Sequence, residues 1–278
     1  MKYRMIISDY DGTLAPAYGK VVQKETIEAI KAYREAGGYF VLCSGRGAAS
    51  AFDAMEYNNI NCDAISAFQG ATIKIGDTIT EDGLDGTTVR EIVEFVRNIE
   101  NRDFVTFNNE VLLYDGNGEA LNYYVNWSTS YKNKAAVNIP EYTLSHGGYY
   151  GKLLLTKMPD ENTDRIVNAI KEKFGDKIVI NSGSEILIEM VSATCTKYSA
   201  CKKIAKHFNV NENEVITVGD STNDLTLVAF GEGCAVESGT PELKKAAKHI
   251  VPAADKQPIK YLIDKILRGE DPFEAESK

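Results

Sequence analysis

Two aspartates stand two positions apart in the stretch MIISDYDGTL, residues 5 to 14, after an apolar run and before a glycine. In a strand, residues i and i+2 lie on one side, so Asp9 and Asp11 repel unless something neutralises them. Three further segments carry groups that could share in such chemistry, namely Ser44-Gly45-Arg46, Lys197, and Gly219-Asp220-Ser221-Thr222-Asn223-Asp224. Clustered carboxylates of this kind call for a hard divalent cation, and Mg2+ is the usual one where phosphate oxygens complete its shell.

These groups act together only if the fold brings them to one rim. Residues 4–8 are a short apolar run, and residues 24–36 carry Ile27, Ile30 and Tyr33 at helical spacing before the stop at Gly37-Gly38. Tyr39 to Cys43 is a second buried strand, so the opening reads as a βαβ unit with a parallel pair. Ligands in such sheets collect at the carboxyl ends of the strands, where Asp9 and Ser44 sit. The last eighty residues keep the same rhythm. A helix over Tyr198–Phe208 leads to a strand over Val215–Val218, a helix over Leu225–Phe230 and a strand over Cys234–Val236. A helix opening at Thr240-Pro241 and a strand over His249–Val251 follow.

The middle of the chain is different. It reads as a helix carrying Val89, Ile92, Val93, Val96 and Ile99, strands near Phe104–Phe107 and Val111–Tyr114, and a polar, aromatic helix over Glu119–Tyr131. A strand near Lys152–Thr156, a helix with Ile166, Val167 and Ile170, and strands near Ile178–Asn181 and Ile186–Met190 complete it. The expectation is an α/β protein: a Rossmann-like parallel-sheet core from residues 1–83 and 190–278, with an α+β unit inserted over 84–189. The natural hinges lie near 80–86 and 190–196.

Composition narrows the function. The 278 residues are 44% apolar and 26% charged with a net charge of −9, so no general attraction to nucleic acid or an anionic membrane is expected. An anionic substrate must be held by local positive charge. No apolar run approaches the roughly 18 residues needed to cross a bilayer, and Met5 to Ile7 is too short for a signal-peptide core. Five cysteines (Cys43, Cys62, Cys195, Cys201, Cys234) with no C-x-x-C pair read as reduced, buried thiols of a cytoplasmic protein. His146 in SHGGYYGK, expected on a loop, and His207 and His249 have no mutual ligand spacing. Tyr123, Tyr124, Trp127 and Tyr131 recur at helical spacing, which usually means packing and alternatively a ligand-stacking wall.

Each segment alone has a plainer reading. Two aspartates and a glycine after a strand are often a turn, Ser44-Gly45-Arg46 a loop, Lys197 a solvated helix-start lysine, and the segment from Gly219 to Asp224 a loop with a helix cap. A calcium loop of the EF-hand kind fits poorly, because Leu14 stands where its glycine belongs.

The set D-x-D-G-T, S-G-R, K and G-D-x-x-N-D, in this order over nearly the whole chain, resembles the haloacid dehalogenase superfamily, and the inserted unit resembles the large α/β cap of its Cof-type phosphatases. The resemblance implies Asp9 as nucleophile forming an aspartyl-phosphate, Asp11 as general acid and base, and Lys197 as the neutralising cation. It implies phosphate contacts from Thr13, Ser44, Gly45, Arg46 and Asn223, and Mg2+ held by Asp9, the main chain of Asp11, and Asp220, with Asp224 orienting this shell or Lys197. The implied activity is hydrolysis of a small phosphorylated metabolite, a sugar phosphate first. The alternatives are a phosphomutase using the same intermediate and a non-catalytic phosphate-binding protein. The sequence departs from the pattern at Tyr10, where an aliphatic residue is commoner, at Tyr198, where glycine is frequent, and at Phe68-Gln69-Gly70-Ala71, in place of a frequent Asn-Gly-Ala. These departures bear on the shape of the substrate pocket.

Overall fold

The computed structural model describes residues 1–16, 21–156, 162–181 and 187–274. Its larger sheet has eight strands in the order His249–Val251, Glu232–Val236, Val215–Gly219, Met5–Ser8, Tyr39–Cys43, Ala64–Ala67, Thr72–Ile75, Thr78–Glu81. The first six are parallel. The last two form an antiparallel hairpin on the edge, which the sequence pattern did not anticipate. The opening strand is central, with Met5 to Ser8 in register against Val215 to Val218 on one side and Tyr39 to Leu42 on the other.

Alternation along these strands builds two apolar layers. Ile6, Phe40 and Leu42 pack with Ile30 and Tyr33 of the helix Lys24–Glu35 and with Leu262 and Ile263 of the helix Pro258–Leu267. Met5, Ile7, Val41 and Cys43 face the other way, against Ala200, Cys201 and Ile204 of the helix Lys197–His207. Phe40 is fully buried, and its truncation to alanine is worth about 3–5 kcal/mol.

The second sheet has six strands in the order Ile178–Asn181, Leu187–Ser192, Lys152–Thr156, Phe104–Phe107, Val111–Asp115, Asn133–Ala136. All its pairs are antiparallel except the last. One face, with Phe104, Leu113, Leu153, Leu155, Ile188 and Met190, lies under the helices Gly86–Ile99 and Asn162–Phe174. The other face, with Val105, Phe107, Leu112, Leu154 and Leu187, joins the apolar cluster of the larger sheet. The connecting segments also touch: the Cys195 thiol donates to the Asp82 carbonyl at 2.7 Å. All five cysteines are free thiols.

Several elements differ from the sequence expectation. The helix expected over Glu119–Tyr131 stops at Trp127, because Ser128, Thr129 and Ser130 favour local turns over helix, and Tyr131 lies beyond it in a Ser128–Tyr131 turn. Tyr131 and Tyr123 are therefore not on one helical stripe: Tyr131 is buried and Tyr123 exposed, while the side chain of Trp127 lies outside the described residues. The helix expected over Leu225–Phe230 is the single turn Leu225–Val228. His146 is the last residue of a helix, Ile139–His146, stacked on Tyr142 at 4.1 Å, and not on a loop. The strand predicted from Ile186 is seen from Leu187, and Ile186 lies outside the described residues. Among the described residues no helix is long and apolar enough to cross a membrane.

Candidate active site

The carboxyl ends of the two central parallel strands carry the first two acidic groups. Asp9 follows the strand Met5–Ser8 and its amide bonds to the Val218 carbonyl at 2.9 Å, while Asp220 follows the neighbouring strand Val215–Gly219. Lys197 arrives from a third element. Thr196 accepts the Ser199 amide at 3.1 Å and Ser199 Oγ accepts the Thr196 amide at 3.0 Å, a reciprocal cap that makes Lys197 the first residue of its helix.

Lys197 is 2% exposed, and its ammonium donates to Asp9 Oδ1 and Asp224 Oδ1, each at 2.6 Å. The other Asp224 oxygen accepts the amides of Asp220 at 3.0 Å and Ser221 at 3.2 Å, so Asp224 ties the lysine to the loop that carries Asp220. Burial pushes the Asp9 carboxyl up, against the pull of Lys197 and with the charge of Asp224 adding to it. Burial and then Asp224 push Asp220 up to about 6. For Lys197, burial opposes the charged form, but Asp224 and Asp9 overcome it and raise its pKa.

Carboxylate oxygens of Asp9, Asp220 and Asp224 all lie within 4.8 Å of one another. One ammonium faces three carboxylates, leaving an excess of negative charge in a buried place, and the donor set is all oxygen, which fits a hard divalent cation. The turn that follows is cut to suit: Gly12 has φ +74°, and a Cβ there would fall 2.5 Å from Asp220 Oδ2. A side chain at residue 12 would strain the backbone and strike the acidic cluster.

Asp11 is turned away from that cluster. Arg46 grips both its oxygens, Nη2 to Oδ1 at 2.6 Å and Nε to Oδ2 at 2.7 Å. The guanidinium lies over the Tyr10 ring at 4.5 Å, and the Tyr10 hydroxyl accepts from Asn58 Nδ2 at 3.0 Å. Tyr10 is the platform under this ion pair, a role the sequence signalled only as a departure from an aliphatic residue.

The remaining predicted residues divide. Ser44 is buried and its hydroxyl accepts the Arg46 amide at 3.2 Å. The Thr13 hydroxyl is buried with no hydrogen-bond partner among the described residues, as expected of a group whose partner is a ligand. Gly45 lies beneath the side chain of Gln69. Asn223 is exposed in the turn Thr222–Asp224, outside the hydrogen bonds that join Asp9, Lys197 and Asp224. Sequence reasoning missed Lys152, buried on the second sheet, whose ammonium meets Glu189 at 2.7 Å and lies 5.9 Å from the centre of the Phe68 ring. The unbroken leucine run in KLLLT conceals it.

Comparison with known proteins bears on this arrangement. Residues 6–263 match the family model of the haloacid dehalogenase-like hydrolases. A 5-amino-6-(5-phospho-D-ribitylamino)uracil phosphatase of Bacillus subtilis, YwtE, is 26% identical, with 96% of this chain and 99% of that one covered. Among solved structures, TM0651 from Thermotoga maritima superposes with a TM-score of 0.83 at 21% identity, covering 95% of this chain and 97% of the other. The subclass IIB sugar phosphatase BT4131 superposes with a TM-score of 0.77 at 16% identity, covering 95% and 98%. The chain belongs to the haloacid dehalogenase-like hydrolases, in their Cof-type phosphatase branch.

Proposed function

We propose that the protein is a Mg2+-dependent phosphomonoesterase acting on a small phosphorylated metabolite, a sugar phosphate first, through an aspartyl-phosphate on Asp9. The observation that carries this reading is Lys197 clamped between Asp9 and Asp224, 2.6 Å from each, at the carboxyl end of the central strand. A buried carboxylate with a fixed ammonium beside it is a nucleophile whose neighbour also attracts the phosphoryl group. The names of the relatives, a phosphatase of a ribitylamino-uracil phosphate and a sugar phosphatase, support the substrate class.

In this reading an Asp9 oxygen bonds to phosphorus, the ester P–O bond breaks, and the leaving oxygen takes a proton from Asp11. Asp11, now a carboxylate, accepts a proton from the water whose oxygen attacks phosphorus, and Asp9 is released. Arg46 holds both oxygens of Asp11, so proton transfer requires that pair to open. Thr13, Ser44, the amide of Gly45, Arg46 and Asn223 would bind phosphate oxygens. Asp9, the main-chain carbonyl of Asp11, and Asp220 would hold Mg2+, with Asp224 orienting; when bound, the ion offsets carboxylate charge and polarises phosphate oxygens. Residues 1–83 and 190–278 would form the catalytic core of a cytoplasmic enzyme, and residues 84–189 a cap that contacts the leaving group and excludes water.

The test is phosphate release from a panel of sugar and polyol phosphates, with Mg2+ and with chelator, by the parent chain and Asp9→Asn. Activity that survives either treatment overturns the reading, and an isomerised sugar phosphate without free phosphate assigns a mutase.

A further inference from the structure

The corner Phe68–Gly70 joins the Ser44–Arg46 loop, the start of the Lys197 helix and the second sheet. Its amides bond to the phosphate loop, Phe68 to the Arg46 carbonyl at 2.8 Å and Gln69 to the Ser44 carbonyl at 3.2 Å. Gly70 abuts the helix start that carries the lysine: a Cβ there would lie 2.6 Å from the Thr196 carbonyl. The Phe68 ring reaches the second sheet, 5.9 Å from the centre of Phe107 and packed against Gly151. Phe68 and Gln69 both hold left-handed backbone, at φ 50° and 59°. Two successive side-chained residues in that region are costly, and such corners persist where a site needs them.

The corner aims one polar group. The Gln69 side chain lies over Gly45, Nε2 falling 2.7 Å from where a Cβ of residue 45 would be, so the absent side chain of Gly45 is the space the carboxamide occupies. Gln69 is 9% exposed, and its carboxamide makes no hydrogen bond to any described residue. The carboxamide reaches solvent with its donor and its acceptor both free, so a ligand entering beside Gly45 can take both, and the adjoining Phe68 ring lies 5.9 Å from the Lys152 ammonium of the second sheet.

The geometry points to Gln69 as a specificity-determining residue that reads a hydroxyl of the leaving group beside the phosphoester, which selects phosphorylated polyols and sugars over alkyl or aryl phosphates. A neutral carboxamide gives and takes one hydrogen bond each, as an alcohol does, and it stands next to the loop proposed for the phosphate. This inference rests on the phosphomonoesterase reading and adds to it the residue that reads the leaving group.

The test pairs glycerol 3-phosphate with propyl phosphate, the same chain without its hydroxyls, for the parent protein, Gln69→Ala and Gln69→Asn. Gln69→Asn keeps a residue that tolerates left-handed backbone and withdraws the amide by one methylene, so it separates folding from recognition. The expected result is a loss of about tenfold to a hundredfold in kcat/KM on glycerol 3-phosphate for Gln69→Ala, about threefold or less on propyl phosphate, and an intermediate loss for Gln69→Asn. Equal losses on both esters, or none on either, overturn the assignment. Calorimetric binding of the same two esters to Asp9→Asn protein, with and without Gln69→Ala, reads the coupling without turnover. If the parent chain hydrolyses neither ester, this binding difference alone decides for or against Gln69, while the catalytic reading stands or falls separately on phosphate release from the panel of sugar and polyol phosphates.

Discussion

The two sheets place buried charge in opposite ways. In the eight-stranded sheet it gathers where strands stop: Asp9 and Asp220 follow neighbouring strands, Lys197 comes from the start of a helix and Asp224 from a turn, and they meet there. In the six-stranded sheet the Lys152–Glu189 pair lies on the sheet face between two strands, among Phe107, Leu154 and Leu187. Burial opposes the charge on Lys152, yet Glu189 raises its pKa. A face-on pair satisfies itself. The strand ends gather three carboxylates around one ammonium among the described residues, an excess of negative charge that favours a cation.

The largest effect follows from that excess. Asp9→Asn removes the proposed nucleophile, and turnover falls by roughly a thousandfold or more. Burial and Asp224 already push Asp9 up, so the same change relieves repulsion, and the thermal midpoint of metal-free protein holds or rises. Phosphate-release assays and calorimetric melting on one preparation check both. A large fall in midpoint would show the cluster to be a stabilising network and erase the contrast with the second sheet.

Lysine removal compares the two sites directly. Lys197→Met leaves Asp9 and Asp224 buried without their cation and costs about 3–5 kcal/mol. Lys152→Met strands only Glu189, which is a quarter exposed and can rehydrate, and costs about 1–3 kcal/mol. Urea unfolding of both variants gives the ratio, and equal losses would mean that sheet-face and strand-end charges are buried alike. The proposed metal should work the other way at the strand ends: Mg2+ added at a hundred times its Kd should stabilise the chain by about 2.7 kcal/mol, and chelator should abolish turnover without unfolding. Asp220→Asn should remove most of that gain.

Strand-end chemistry was the more legible half in the sequence, for a physical reason. Residues that leave a strand for a turn break its apolar pattern, so Asp9, Ser44 and Asp220 stand out, and the parallel order that gathers them follows from the βαβ rhythm. Groups on a sheet face break nothing. Lys152 opens a strand of leucines and draws no notice, and Gln69 stands out only within a departure from a frequent Asn-Gly-Ala, because its left-handed corner is set by contacts with Ser44, Arg46 and Thr196, far away in the chain. The aromatic helix was overextended to Tyr131 because spacing continues past a turn that hydrogen bonding ends at Ser128.

The smallest expected effect tests the six-stranded sheet and its helices by themselves. Asp85 caps the helix Gly86–Ile99, its carboxylate accepting the Thr88 amide at 2.9 Å and the Thr88 hydroxyl at 2.8 Å. Partial burial opposes its ionisation, but these hydrogen bonds prevail and hold its pKa below the usual carboxylate value. A group depressed in this way stabilises the fold above its unfolded pKa of about 3.9 and loses that contribution as pH falls through the lower folded value. Asp85 is exposed, so screening keeps the effect small, and Asp85→Ala should cost about 0.5–1 kcal/mol at neutral pH. Asp85→Asn retains the cap without the charge, so its deficit should be a few tenths of a kcal/mol. Below about pH 4 the difference between parent and Asp85→Asn should shrink towards nothing. Urea midpoints of the three proteins at pH 7 and in this acid range measure it, and a gap that widens in acid would assign the stabilisation to another group. Turnover should hold throughout at neutral pH, because the helix that Asp85 caps packs on the face of the six-stranded sheet turned away from the catalytic rim.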